Sequence, residues 1–117
     1  MFLNGTHKSN FLELTRKDNT KFGDMERLSL FYILSCEMLY NKASKFYNFN
    51  EHTINSDCDM NCLSSAEKSL VRLAFHLFTS NNTYAESIND IFSNLDDDNS
   101  KIALNAIKAR YEIILNI

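Results

Sequence analysis

The chain has 117 residues, of which 44% are hydrophobic and 23% charged, and its formal net charge is −3. That length fits one domain around one core, and the composition excludes extended disorder. The longest apolar run, residues 30–34, is far shorter than the roughly 20 residues that cross a bilayer, and the N-terminus lacks a signal-peptide pattern. We therefore expect no membrane association, a cytoplasmic location, and free thiols at Cys36, Cys58 and Cys62.

The first half of the chain predicts two helices followed by an irregular segment. Thr6 can cap a surface helix that runs to about Lys17. Asp24 can cap a second helix, which is apolar on nearly all sides over residues 28–34 and should therefore be central. A short helix through Lys45 then leads into an extended segment with at most a minor strand pair near residues 46–54.

The second half predicts three further helices. Ser64 and Glu67 form a capping box ahead of a helix that is apolar on two faces, so this helix should pack against the central one. Ser87 can cap a short helix, and a final helix is expected from about Ser100 to Leu115, with its inner side formed by Ile102, Ala103, Ala106, Ile107, Tyr111 and Ile114. We predict a mainly α fold, a single helical domain over residues 1–117 built as a bundle of about five helices.

The segment "HTINSDCDMNC" places His52, Cys58 and Cys62 within eleven residues and raises the question of a metal site. Structural zinc prefers four ligands, usually arranged as two close pairs such as C-x2-C. Here the cysteines are spaced C-x3-C, and a fourth ligand would have to come from farther away, from Cys36, His7 or His76. Ordinary packing or exposed loop thiols fit the pattern better, so we predict neither a metal nor a cofactor.

The segment "LDDDNSKIAL" resembles a calcium loop because Asp96, Asp98 and Ser100 occupy alternate positions. An EF-hand loop also needs Gly at position six and Glu at position twelve, where this chain has Lys101 and Ile107. Carboxylates just before a helix instead satisfy its free N–H groups and favour the positive end of its dipole. Helix capping is therefore the better interpretation.

No catalytic signature is present, and the two glycines of the chain cannot build a glycine-rich phosphate loop. His76 lies between Phe75 and Leu77 and is typical of a core or boundary histidine. Cys36 and His76 would form a thiol–imidazole pair if their helices packed together. We predict that the protein is not an enzyme, and the open alternative is a small thiol- or histidine-dependent enzyme that uses Cys36, Cys58, Cys62 or His76.

Charge is distributed unevenly along the chain. Residues 1–50 carry seven Lys and Arg against five acids, whereas residues 51–117 carry five against ten, giving local charges of +2 and −5. An acidic face repels phosphate, so no direct contact with nucleic acid is expected, but such a face suits a basic protein surface. The predicted partner-binding residues are Asp90, Asp96, Asp97 and Asp98, and a merely solvated face is the alternative.

Several segments together resemble a known family: "HKSNFLELTRKD", "DMERLSLFYIL", "FYNFNE", "LVRLAFHLF" and "DIFSNLDDDNSKIALNAIKARY". The family is a small uncharacterised one, a domain of unknown function found in low-GC Gram-positive bacteria and their phages. The residues that fall in the matching segments include Asp24, Glu26, Arg27, Asp90, Asp96 and Arg110. The resemblance implies a context of mobile elements and brings no established activity or binding residues.

The phage-like resemblance, the acidic second half and the lack of motifs suggest a protein that works by binding. We expect a stoichiometric inhibitor of a host defence complex, such as a CRISPR nuclease, that presents a basic surface. The terminal segment "RYEIILNI" places apolar residues on more sides of a helix than one core can cover. A homodimer through this segment is a further expectation, since contiguous apolar patches usually mark interfaces.

Overall fold

Side chains that accept hydrogen bonds from free backbone N–H groups set where the helices begin. The computed structural model describes residues 2–112. Within them are six α-helices: α1 Gly5–Asp18, α2 Met25–Leu34, α3 Ala43–Phe46, α4 Ser65–Thr79, α5 Ile88–Phe92 and α6 Asp97–Tyr111. Strands β1 Tyr47–Asn48 and β2 Thr53–Ile54 pair antiparallel, and two short 3-10 helices cover Tyr40–Lys42 and Asn82–Tyr84. The mainly α prediction and the small strand pair are confirmed.

Most of the predicted helix starts are also confirmed. Asp24 and Ser87 cap α2 and α5, and Ser64 forms a complete capping box with Glu67 at the start of α4. The prediction for α1 was wrong, because the Oδ1 atom of Asn4, not Thr6, accepts from the N–H of His7 at 2.8 Å. Helix α6 starts earlier than predicted, because the Asp96 carboxylate caps it by accepting from the N–H of Asn99.

Helix α2 occupies the centre of the molecule, and its residues 29–34 are all buried. Helix α4 packs against it as predicted: Phe31 on α2 is fully buried, and Leu73 on α4 is 5% exposed. Helices α1 and α6 cover other sides of α2, and most of the remaining core comes from the segment between α2 and α4. Burying apolar side chains on nearly every side explains why α2 lacks a polar face.

Helices α1 and α6 run antiparallel to α2, because His7 and Asn105 contact Tyr32 near the end of α2 while residues near the ends of α1 and α6 contact its first turn. Arg27, in the first turn of α2, contacts Asp18 at the end of α1 and the Phe78 ring near the end of α4. Arg110, near the end of α6, pairs with Glu26. The α1–α2 turn and the C-termini of α4 and α6 therefore meet at one end of the bundle, and the N-termini of α1 and α6 lie toward the other.

The inner side of α6 differs from the prediction at one described position. Ile102, Ala103 and Ala106 are buried, but Tyr111 is 55% exposed. Tyr111 lies seven residues after the exposed Leu104, two helical turns farther along the same outward stripe. The predicted continuation of α6 to Leu115 is wrong within the described residues, because the helix ends at Tyr111 and Glu112 adopts a left-handed C-cap conformation. The apolar residues after Glu112, proposed for dimer contact, lie outside the described residues.

None of the helices between residues 2 and 112 combines the length and the apolar character that crossing a membrane requires.

Candidate functional site

The four predicted partner-binding carboxylates lie around one short connection. Asp90 belongs to the first turn of α5, Asp96 caps α6, and Asp97 and Asp98 form the first turn of α6. Residues 93–96 join the two helices, and the Asn94 side chain donates to the carbonyl of Asp90 at 2.8 Å. All four aspartates are exposed. We call Asp90, Asp96, Asp97 and Asp98 the acidic corner.

The charges of the acidic corner are not neutralised within the part of the chain that the structure describes. None of the ion pairs found there involves these four carboxylates. Asp96 is partly used as a cap, because its Oδ1 atom accepts from the N–H of Asn99 at 2.9 Å. Beside Asp90 in sequence, Ile88 is 76% exposed. The corner thus presents carboxylates without an ion pair among the described residues, the first of them two residues after an exposed apolar side chain.

Helix geometry explains why acidic residues are favoured at this place even without a partner. The first turns of α5 and α6 expose N–H groups at the positive ends of the helix dipoles, which stabilise nearby negative charge. Among residues 2–112, no group of three or more His, Cys, Asp or Glu side chains is arranged to hold a metal ion. Capping therefore accounts for Asp96, whereas the outward carboxylates of Asp97 and Asp98 have no hydrogen-bonding role within residues 2–112.

Two of the cysteines in the alternative enzyme hypothesis, Cys36 and Cys58, lie where burial disfavours the thiolate. Cys36 is buried, and burial raises the pKa of its thiol to about 11, so the thiol is protonated at neutral pH. Burial also raises the pKa of the Cys58 thiol. Cys62 is exposed, and the Nδ1 atom of His76 lies 3.0 Å from the carbonyl of Asn81. Cys36 shares a surface cavity with His7, whose two ring nitrogens already have backbone partners.

A polar cluster that the sequence analysis missed joins α1, α2 and the hairpin formed by β1 and β2. The carboxylate of Asp18, which is 1% exposed, accepts from the Tyr47 hydroxyl at 2.7 Å and lies 2.8 Å from Nδ1 of His52. Thr20 donates to the second carboxylate oxygen at 2.5 Å. Arg27 donates to the Tyr47 hydroxyl at 3.2 Å and to the carbonyl of His52 at 2.6 Å. We call these five residues the Asp18 cluster.

Hydrogen bonds and burial set the protonation states of Asp18 and Tyr47 in the Asp18 cluster. Burial by itself would raise the pKa of Asp18, but the hydrogen bonds from Thr20, Tyr47 and His52 outweigh burial and lower it. Burial and the neighbouring Asp18 charge raise the pKa of Tyr47, so its hydroxyl stays protonated. At neutral pH the Tyr47 hydroxyl is therefore neutral and donates to a charged Asp18 carboxylate. This hydrogen bond links the hairpin to the end of α1.

His52 has the most unusual backbone in the Asp18 cluster. Its φ angle is 56°, in the left-handed region that favours glycine, and its side chain is 54% exposed. The carboxylate of Asp18 orients the imidazole as in catalytic pairs, but the hydroxyl of Tyr47 is occupied by Asp18 and Arg27. Within the described residues, the cluster supplies an oriented histidine without an available nucleophile, which supports a structural role.

Comparison with known proteins matches the chain to a family model over residues 1–116, described as a family of unknown function, DUF6075. No curated protein and no solved structure matches the chain.

Proposed function

The chain belongs to the DUF6075 family of unknown function, and we propose that it acts by binding another protein through the acidic corner. The observation that carries the proposal is the presence of four exposed carboxylates that find no cation within residues 2–112. Such a surface attracts a basic partner and steers its approach, because complementary potentials raise association rates and fix the register of docking.

The chemical state of the thiols supports binding over thiol catalysis. A nucleophilic cysteine needs a lowered pKa and access to solvent, whereas Cys36 has a raised pKa and is buried. The exposed Cys62 lies on the loop before α4. We therefore keep the enzyme hypothesis only as the outcome that the experiment below must exclude.

The family resemblance suggests where the partner is found. Relatives in low-GC Gram-positive bacteria and their phages would place the protein in a host cytoplasm beside defence systems. Within the proposal, the partner is a host defence complex such as a CRISPR nuclease, and the protein inhibits it in a stoichiometric complex. A basic surface built to hold nucleic acid is the kind of surface that a cluster of carboxylates can occupy.

The test begins with isolation of a stoichiometric partner from host lysate, followed by measurement of association and dissociation rates at several salt concentrations. A corner variant replaces Asp90, Asp97 and Asp98 with Lys and spares Asp96, which caps α6. The matched control makes the same charge change at three exposed acids outside the corner, Glu37, Glu51 and Asp57. We expect the corner variant to associate about tenfold or more slowly, since steering contributes factors of that order.

The control variant should associate at a rate within about twofold of the parent, and the affinity of the parent should fall as salt rises. The corner variant must first be shown to fold, because each Lys placed at a helix N-terminus costs about 0.3 to 1 kcal/mol. A folded corner variant that binds and inhibits like the parent would refute the proposal. Turnover of a small substrate that Cys36→Ser or His76→Ala abolishes would support the enzyme hypothesis instead.

A further inference from the structure

Phe22 is the most exposed large apolar side chain among the described residues. It lies in the turn between α1 and α2 and is 94% exposed, whereas the next most exposed, Ile88, is 76% exposed. Removing most of a phenylalanine ring from water would contribute about 1.5 to 3 kcal/mol, and the fold makes no use of this contribution. Aromatic residues are enriched at protein interfaces, so a ring that the fold leaves in water is a candidate anchor for another molecule.

The turn that carries Phe22 is held in place on both sides. Asn19 ends α1 in the left-handed conformation, and the N–H of Thr20 donates to the carbonyl of Thr15 at 2.9 Å. Thr20 also donates through its hydroxyl to the buried Asp18 carboxylate. On the other side of Phe22, the N–H of Asp24 donates to the carbonyl of Lys21 at 3.1 Å. The ring is therefore presented on an ordered turn, which lowers the entropy lost on binding.

The charged side chains near Phe22 in sequence that lack an ion pair in the described part of the chain are positive. Arg16, Lys17 and Lys21 are exposed, and none of them forms an ion pair among residues 2–112. Three acids near Phe22 in sequence already have partners: Asp18 is buried in its cluster, Asp24 pairs with Arg27 at 2.9 Å, and Glu26 pairs with Arg110 at 3.5 Å. An approaching surface therefore meets an aromatic ring on a segment whose cations lack a carboxylate partner among the described residues, although the Nζ atom of Lys17 lies 4.5 Å from the centre of the Phe49 ring.

We propose that Phe22 is the anchor of a second protein-binding surface, which inserts into an apolar pocket with carboxylates at its rim on a partner protein. Arg16, Lys17 and Lys21 would face the carboxylates, because opposite charges around an apolar contact steer docking and reject partners with basic rims. A protein partner is favoured over nucleic acid, because the chain has a net charge of −3 and acids outnumber cations in its second half.

The Phe22 surface is separate from the acidic corner. It lies at the end of the bundle where α1 meets the start of α2, and the corner lies at the start of α6, which runs antiparallel to α2. The inference therefore does not depend on the proposed function. It adds a surface of the opposite charge, so that one small protein can contact two different surfaces at once.

A photo-crosslinking experiment on the full chain tests this inference. The photoreactive amino acid p-benzoylphenylalanine replaces Phe22, and a control chain carries it in place of Leu12, which is 45% exposed on α1. After irradiation in host cells, mass spectrometry maps the residues that are joined to each position. We expect a product specific to position 22, in a partner segment that combines an apolar pocket with Asp or Glu side chains.

Substitutions then test affinity for the purified, mapped partner. Phe22→Ala should weaken binding about 30-fold or more, the effect of a hot-spot residue, while Leu12→Ala should change it less than about twofold. Lys17→Glu with Lys21→Glu should also weaken binding, whereas the corner variant should leave the position 22 crosslink unchanged. Phe22→Ala should melt like the parent because the ring packs on so little of the fold.

Four outcomes would overturn the inference: no product specific to position 22, a product joined to nucleic acid, a product joined to a second copy of this chain, or unchanged affinity in Phe22→Ala. If the folded corner variant binds and inhibits like the parent while the crosslink at position 22 is still found, only the proposed function is rejected.

Discussion

The Tyr47 hydroxyl donates to the buried Asp18 carboxylate at 2.7 Å, across 29 residues of chain. This bond ties the first strand of the hairpin to the end of α1, and Arg27 on α2 supports the same hydroxyl. The Tyr47 hydroxyl therefore connects α1, α2 and the hairpin through hydrogen bonds to two side chains. A buried charge of this kind is stable only while its donors are present.

The first prediction follows from this dependence. Tyr47→Phe should lower the free energy of unfolding by about 1 to 3 kcal/mol, because it leaves Asp18 and Arg27 each without one partner. Asp18→Asn should also destabilise, and a double-mutant cycle should return a coupling energy of about 0.5 to 3 kcal/mol. Urea denaturation measures all three variants. Tyr84→Phe is the matched control, because no hydrogen bond of that hydroxyl is present within residues 2–112, and additive effects at Asp18 and Tyr47 would contradict the prediction.

The second prediction concerns the packing of α2 against α4. Phe31→Ala should cost about 3 to 5 kcal/mol and Leu73→Ala about 2 to 5 kcal/mol, because both side chains leave cavities in a closely packed core. Leu104→Ala, at a site that is 46% exposed, should stay within about 0.5 kcal/mol of the parent. Chemical denaturation provides the values. A loss below about 1 kcal/mol at both core positions would mean that this interface is not what holds the fold together.

Features that depend on neighbours in sequence could be predicted from the sequence. The caps at Asp24, Ser64 and Ser87 form within three residues of the helix start, so spacing alone indicates them. Helix α2 was placed at the centre because it has no polar side to leave in water. The α1 start was missed because Asn4 and Thr6 are both good caps, and only the backbone conformation decides between them.

Features that depend on tertiary contact could not be predicted in this way. Asp18 is 29 residues from Tyr47 and 34 from His52, and nothing local distinguishes it from a solvated acid at the end of a helix. The exposure of Phe22 could not be predicted either, since an aromatic residue in a turn is consistent with burial under a neighbouring segment. The four residues of the acidic corner lie around one connection because they are close in sequence, and their role as a binding surface stays a proposal.

The third prediction concerns acid sensitivity at His7. Burial lowers the pKa of His7 below its ordinary value of 6.5, although the hydrogen bond to the Tyr32 carbonyl opposes this effect. The imidazole is neutral in the folded protein: Nε2 lies 2.8 Å from that carbonyl, and Nδ1 accepts from the N–H of Leu3. The unfolded chain therefore binds a proton more readily, so stability is fully present above pH 6.5 and decreases as the pH falls below it.

Stability measured against pH for the parent and His7→Gln tests this point. Gln cannot gain a proton, so the stability advantage of the parent should shrink between pH 7 and pH 5. Other titrating groups act in both proteins and cancel in the difference. A difference that stays constant over this range would show that His7 is not the source of the acid sensitivity.

The fourth prediction separates the two roles of Asp96, which caps α6 and also belongs to the acidic corner. Asp96→Ala removes both the cap and the charge and should cost about 0.5 to 2 kcal/mol in thermal or urea unfolding. Asp96→Ser removes the charge but keeps an oxygen that can accept from the N–H of Asn99, so its stability should stay close to that of the parent. If the charge itself takes part in docking, both variants should associate with the partner more slowly than the parent, and to a similar extent. If Asp96 serves only the helix, weaker binding should appear in Asp96→Ala alone and follow its loss of stability. An Asp96→Ser variant that binds like the parent would therefore remove Asp96 from the proposed interface while leaving its capping role intact.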